Sequence, residues 1–382
     1  MGRPLLVTIN EPRVREISSM TFKQRALNSE ADIDGSMAGV YMTTFYGHEG
    51  TPNPAVPLRR ERYDQGNEDP QPRNRGTMTI VPFLVLALSV PLVGSGEPVG
   101  RPPCPPAGTT RATLLQLKDA KFAVASADER NRLAPALLAC LDDSDPRIRD
   151  GVVFEAISTW LRGKQLASET IVALEASLRK TLEGPRDTAG FRHPFAALIL
   201  SEVARADRIE PVFSEATRAA LVELAAISLS KVDDYRGFDP KEGWRHGVAH
   251  GSDLVLQLGM NPKVGPDGVK RLMDALAIQV APEGGHAYTY GEPERLARAL
   301  VFTHRRGTVD AAYWESWFAA IASPKPLSSW REAFESLHGL AKRHNTIAFL
   351  HAVAFTARSA GGDVSAGLSA LAEKALNQVI GG

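Results

Sequence analysis

The chain has 382 residues, 43% of them hydrophobic, and its 44 basic side chains are balanced by 44 acidic ones. This length suits one large or two ordinary domains with a real core, and the charge balance argues against nucleic acid or an anionic membrane surface as a bulk partner. The two cysteines, Cys104 and Cys140, provide no C-x-x-C and no Cys/His zinc set, and composition leaves open whether they pair.

Residues 1–77 mix Pro, Gly, Asn, Arg and Glu without sustained helical or strand periodicity, which reads as a disordered region or an upstream extension of the reading frame. Met78 then opens a segment whose apolar run Ile80–Val93 is short for a membrane span and the right size for a signal-peptide core. Residues 78–96 are therefore expected to be a signal peptide with translation starting near Met78, giving a periplasmic or secreted protein. The alternative is a membrane anchor, the one membrane contact expected. Residues 97–110, rich in proline, read as an extended linker.

From Arg111 to Gly382 the pattern becomes helical. Leucine, alanine and isoleucine recur at helical spacing, and breaks of Gly, Pro, Asp and Ser divide the segments. Helix starts are marked at Asp145-Pro146, Ser168, Gly265-Pro266 and Asp310. The segments SSWREAFESLHGLA and NTIAFLHAVAFTA read as two separate helices, and Trp314, Trp317 and Trp330 as core. In LLACLDDSDPRIRDGVVFEAISTWL an apolar helix ends in D-x-D-P and Arg149-Asp150 begins the next, as in a HEAT-type helix pair. The expected fold is all-α: an irregular α-solenoid, a HEAT-like helical repeat or α/α superhelix, over residues 111–382.

The densest polar and aromatic stretch is DDYRGFDPKEGWRHGVAHGSDLVLQL, Asp233–Leu258. Asp239 as N-cap, Pro240 at the first helical position and Glu242 three residues after the cap predict a helix over Pro240–Leu258, stopped by Gly259 and Pro262. On that helix His246, His250, Asp253 and Gln257 share one face, opposite Trp244, Val248, Gly251, Leu254, Val255 and Leu258. Two histidines one turn apart with a carboxylate beyond them suit a divalent metal such as zinc, or a His/Asp general base. The plain alternative is a solvent-facing polar stripe.

This stretch resembles the signature of the bacterial family called domain of unknown function 2785, an R-G-x-x-x-x-x-G-W-x-H-x-x-A-H-x-x-D core. Here its positions are Arg236, Gly237, Gly243, Trp244, His246, Ala249, His250 and Asp253. FRHPFAALIL is similar to a second family segment, with His193-Pro194 where a serine would stand, and GEPERLARAL is similar to a third through Glu292, Glu294 and Arg295. The resemblance covers roughly residues 111–382; it implies an all-helical, repeat-like domain and leaves the chemistry open.

Two functions compete. As a binding or scaffold module, the chain would hold an unknown protein or small-molecule ligand on the surface around the central helix, with Arg236, Trp244, His286, Tyr288, Tyr290, Glu292 and Arg295 as contacts. As a metal-dependent or hydrolase-like enzyme, it would use His246, His250 and Asp253, completed by Glu292, Glu294 or His286. Glu292 and Arg295 also fit a simple surface ion pair. Serine-nucleophile motifs, phosphate loops and dinucleotide fingerprints are absent from the sequence.

Overall fold

The computed structural model describes residues 103–382. The expectations for residues 1–77, for the segment 78–96 and for residues 97–102 lie outside the described residues. The chain divides into the units Met1–Val90 and Pro91–Gly382, and all elements below belong to the second.

Helix α1 (Arg111–Asp119) carries a Thr110/Thr113 capping box, and α2 (Ala127–Ala136) is capped by Ser126 and runs on as a 3-10 turn, Leu137–Cys140. Helix α3 starts as Pro146–Ile148 under an Asp145 cap, widens into a π-helical segment, Arg149–Phe154, and finishes as Glu155–Arg162. Then follow α4 (Ser168–Glu183), α5 (Arg192–Ile209) and α6 (Glu215–Ser230). A hairpin of two-residue strands, β1 (Phe238–Asp239) and β2 (Gly243–Trp244), precedes α7 (Gly247–Gly259). Helices α8 (Pro266–Ile278), α9 (Glu292–His304), α10 (Ala311–Ile321), α11 (Leu337–Ala360) and α12 (Asp363–Gly381) complete the unit. The described residues are thus overwhelmingly helical, as the periodicity predicts, and no helix among them is long and apolar enough to cross a membrane.

Helices α3, α5, α7, α9 and α11 pack in succession, each on the next, while α2, α4, α6 and α8 form a second succession across them. Alternate helices are therefore spatial neighbours, and α7 sits in the middle of the first row between α5 and α9. Its apolar side is fully buried: Val248, Ala249, Leu254, Val255 and Leu258 are each at most 2% exposed. Beside it, buried Asp207 of α5 accepts Arg218 Nε at 2.7 Å, Asn261 Nδ2 at 3.0 Å and the backbone N–H groups of Val212 and Phe213. One carboxylate thereby ties α5, α6 and the end of α7 together, with its charge answered by a guanidinium and three neutral donors.

The expected break between two late helices is displaced. Ser336 interrupts the first segment by capping α11 through Gly339 N at 3.0 Å, so only Glu332–Glu335 remains there as a 3-10 turn. From Leu337 the chain is one continuous helix. Trp314, Trp317 and Trp330 are core residues, 2%, 5% and 3% exposed. Of the proline-rich linker, residues 103–110 are turns and coil held to the helices: Cys104 forms a disulfide with Cys140, and Pro106 is buried.

Candidate functional site

The central stretch folds differently from its helix-start signal. Asp239 does cap backbone N–H groups, accepting from Lys241 at 2.8 Å and Glu242 at 2.9 Å. Those amides belong to a hairpin turn, with Phe238 paired to Trp244 and Asp239 to Gly243. A local Asp-Pro-x-Glu pattern satisfies a tight turn as well as a first helical turn, and Gly243 supplies the positive φ of 76° that the turn needs. Two longer-range bonds hold the hairpin in place: Arg149 reaches the Glu242 carbonyl at 2.7 Å, and Arg245 the Ala189 carbonyl at 2.7 Å. The helix therefore starts at Gly247, after His246 in the left-handed region at φ 59°. A left-handed conformation is uncommon for a non-glycine residue and concentrates where tertiary contacts over-determine the backbone.

The polar stripe of α7 lies between the neighbouring helices α5 and α9 instead of facing open solvent: His250 is buried, and His246, Asp253 and Gln257 are half-buried. His250 is 4% exposed and meets the Phe195 ring edge-on at 5.3 Å. His246 lies 5.8 Å from His250, stacks on Trp244 at 4.6 Å, and donates from Nε2 to the Tyr290 carbonyl at 2.8 Å. Asp253 is held by Arg295 of α9 through both carboxylate oxygens, with Arg295 Nε at 3.1 Å from Oδ1. The predicted trio thus splits. The two histidines are neighbours, and the carboxylate is engaged by a guanidinium. Among the described residues no group of three His, Cys, Asp or Glu side chains is placed to hold a metal ion.

Electrostatics make both histidines neutral. Burial pushes His246 down to about 4, the Arg295 guanidinium adds to this, and the Tyr290 carbonyl and Asp253 oppose it. His250 lies well below its ordinary value because burial, His246, Arg295 and Arg149 disfavour its cation, against a hydrogen bond to the Pro194 backbone that favours it. Its Nδ1 is buried with no hydrogen-bond partner.

The other predicted contacts separate into two groups. Tyr290 joins the histidines: its ring meets Trp244 edge-on at 6.0 Å and lies on Gly237. Arg236 packs at the hairpin's edge, half-exposed and paired with Asp234. Glu292 is 3% exposed and accepts the Tyr290 N–H at 2.9 Å, with burial raising its carboxyl above the usual range. The expected Glu292–Arg295 surface pair is therefore replaced by a buried Glu292 and a half-buried Asp253–Arg295 pair, because Asp253 comes within reach of Arg295 only once α7 and α9 pack. His286 and Tyr288 form a separate cluster. His286 stacks on Tyr235 at 5.0 Å, and Tyr288 donates to Gln279 at 3.0 Å.

Gly237 has a defined role. A Cβ there would stand 2.2 Å from Tyr290 Cδ2. Gly237→Ala is expected to push the Tyr290 ring off the hairpin and cost about 1–3 kcal/mol. Urea unfolding with near-ultraviolet circular dichroism checks this, since the Trp244–Tyr290 signal should change while helix content stays.

Sequence reasoning missed the cation–aromatic floor under the site. Arg149, fully buried in the π-helical segment, lies 3.9 Å from the centre of the Phe191 ring and 4.8 Å from that of Phe195. Arg245 covers Phe191 from 4.3 Å, and Arg149 pairs with buried Asp150 at 2.7 Å. π-Helical turns are frequent at functional sites. The one available signal was Arg149-Asp150 set among apolar residues, where a charged pair must be buried and answered.

These features define an all-helical protein with a hairpin-topped, charge-rich centre at its middle helix. A family model described as protein of unknown function (DUF2785) matches residues 178–355, and this match supports membership of that family. The match contains all three segments on which the resemblance rests, together with α5 to α9. No curated protein and no solved structure matches the chain.

Proposed function

We propose that the chain is a binding module whose ligand surface is the aromatic face formed by the β1–β2 hairpin and the start of α7. The observation that carries this reading is the placement of Phe238, Trp244, His246 and Tyr290. The Phe238, His246 and Tyr290 rings each meet Trp244 beside His250, Arg149 and Arg295, and Phe238 is 50% exposed. Partly exposed aromatic rings beside fixed polar groups are the usual make-up of a recognition surface. The ligand is a small molecule or protein segment with an apolar face.

The two rows of alternate helices support an irregular α-solenoid, a HEAT-like α/α superhelix, as the scaffold. The Cys104–Cys140 disulfide supports export through a signal beginning near Met78, since disulfides persist in oxidising compartments. N-terminal sequencing of the mature protein tests the export step. A mature chain that still begins at Met1 would refute it.

Ligand binding has a built-in reporter. Of the five tryptophans, Trp160, Trp314, Trp317 and Trp330 are buried, leaving Trp244 as the half-exposed one. Compounds from a panel of saccharides, nucleosides and short peptides that raise the unfolding temperature should also change Trp244 emission. They should lose their effect in Trp244→Ala; stabilisation that survives this change would place the ligand elsewhere.

One observation favours the enzyme alternative, with His246 as a general base: His246 is neutral and its Nε2 proton is fixed by a backbone carbonyl. Its metal-dependent form predicts stoichiometric metal in purified protein that disappears in His246→Ala and His250→Ala.

A further inference from the structure

A second, larger feature lies on the opposite flank of α7. Residues of α4 and α6 and of the loops that follow them border a cavity of about 600 Å³, floored by α5 and α7. This is within the range of roughly 300–1,000 Å³ typical of small-molecule sites. Pro194, Ala197, Leu224, Ile227 and Val232 make its walls apolar, and Gly247 and Gly251 keep the α7 side of the floor free of side chains.

The charges around the mouth do not cancel evenly. Asp233 is paired with Arg186, Asp234 with Arg236 and Glu223 with Arg271. Glu183 lies 4.0 Å from Arg179, and Asp187 accepts the backbone N–H groups of Phe191 and Arg192. Among the described residues, the Lys231 side chain alone of the charged groups lining this cavity has neither an ion-pair nor a hydrogen-bond partner. It is exposed at the end of α6, where the apolar walls meet solvent. The groove therefore offers apolar contact along its length and, at its mouth, an unpartnered ammonium, together with an Asp187 carboxylate engaged by backbone N–H groups.

We infer that this groove is a binding site for a free single-chain amphiphile with a carboxylate head, the chain lying along Ala197, Leu224 and Ile227 and the head on Lys231. Apolar burial supplies the affinity, and the ammonium selects the sign of the head group. The site is separate from the aromatic face and does not depend on it.

The test is calorimetric titration of the full chain with dodecanoate and with dodecyltrimethylammonium, both below their micelle concentrations. Dodecanoate should saturate at one per chain and bind about two- to fivefold more tightly than the cation, the range expected for one exposed ion pair. Lys231→Glu should abolish or invert that preference. Ala220→Trp, at an exposed position lining the groove, should remove binding of both probes with the circular dichroism spectrum unchanged. Ile227→Trp, also at the surface, serves the same purpose if Ala220→Trp misfolds. Absence of saturable dodecanoate binding, binding that survives a folded groove-filling variant, or a head-group preference unaffected by Lys231→Glu would each overturn the assignment.

Discussion

Arg149→Ala is expected to lower the unfolding free energy by about 3–5 kcal/mol, the usual cost of removing one partner of a buried charge pair. The side chain is fully buried and meets Asp150, the Asp143 and Glu242 carbonyls, and the rings of Phe191 and Phe195. Its loss leaves the Asp150 carboxylate in an apolar setting and frees the hairpin from α3. Arg149→Lys should recover only part of the loss, because an ammonium keeps the charge but lacks the planar fork that serves two carbonyls while lying on a ring. Urea unfolding of both variants checks this. A cost under about 1 kcal/mol for Arg149→Ala, the level of a surface pair, would mean that the cluster does not organise the site.

The second large effect is acid lability. A histidine whose folded-state value lies below its unfolded one binds its proton more readily in the unfolded chain. Its contribution is therefore complete above the ordinary histidine range near 6.5 and is lost as pH falls through it. For His246, at about 4 in the folded state, the loss between neutral pH and pH 4 is about 3 kcal/mol. His250 acts in the same direction, as do His193, His286 and His304, all lowered by burial. Glu292 opposes them, because its raised folded-state value means that acid protonates the folded form first. Unfolding free energies at pH 7, 5.5 and 4.5 should therefore fall steadily. His246→Asn, which keeps a residue tolerant of the left-handed conformation, should flatten the curve. An equal slope in wild type and variant would contradict a buried neutral His246.

The extent to which the sequence foretells this arrangement differs by level. Helical periodicity and caps at Asp145, Gly265 and Asp310 read correctly because each is decided within a turn of its own residue. Helical spacing pairs His246 with His250 but sets Trp244 on the opposite side, whereas the helix begins only at Gly247 and the hairpin stacks Trp244 on His246. The start of α7 was not legible, because the Asp239 cap suits two local structures, and the choice between them falls to Arg149 and Arg245, distant in sequence or in contact. The burial of the stripe was equally hidden: whether a polar face meets water or a neighbouring helix is decided by α9, whose Arg295 claims Asp253. The groove at Lys231 has no local signature, since its lining comes from four helices and the loops between them.

The start of α7 holds two neutral histidines, His246 and His250, beneath an aromatic lid. Long-range proton–nitrogen correlation spectra of the imidazoles, recorded across a pH titration, address this directly. Two neutral rings at pH 6 are predicted, with the His246 proton on Nε2 and its titration centred at about 4. Two imidazoles titrating together near 6.5, as solvent-facing histidines do, would contradict it.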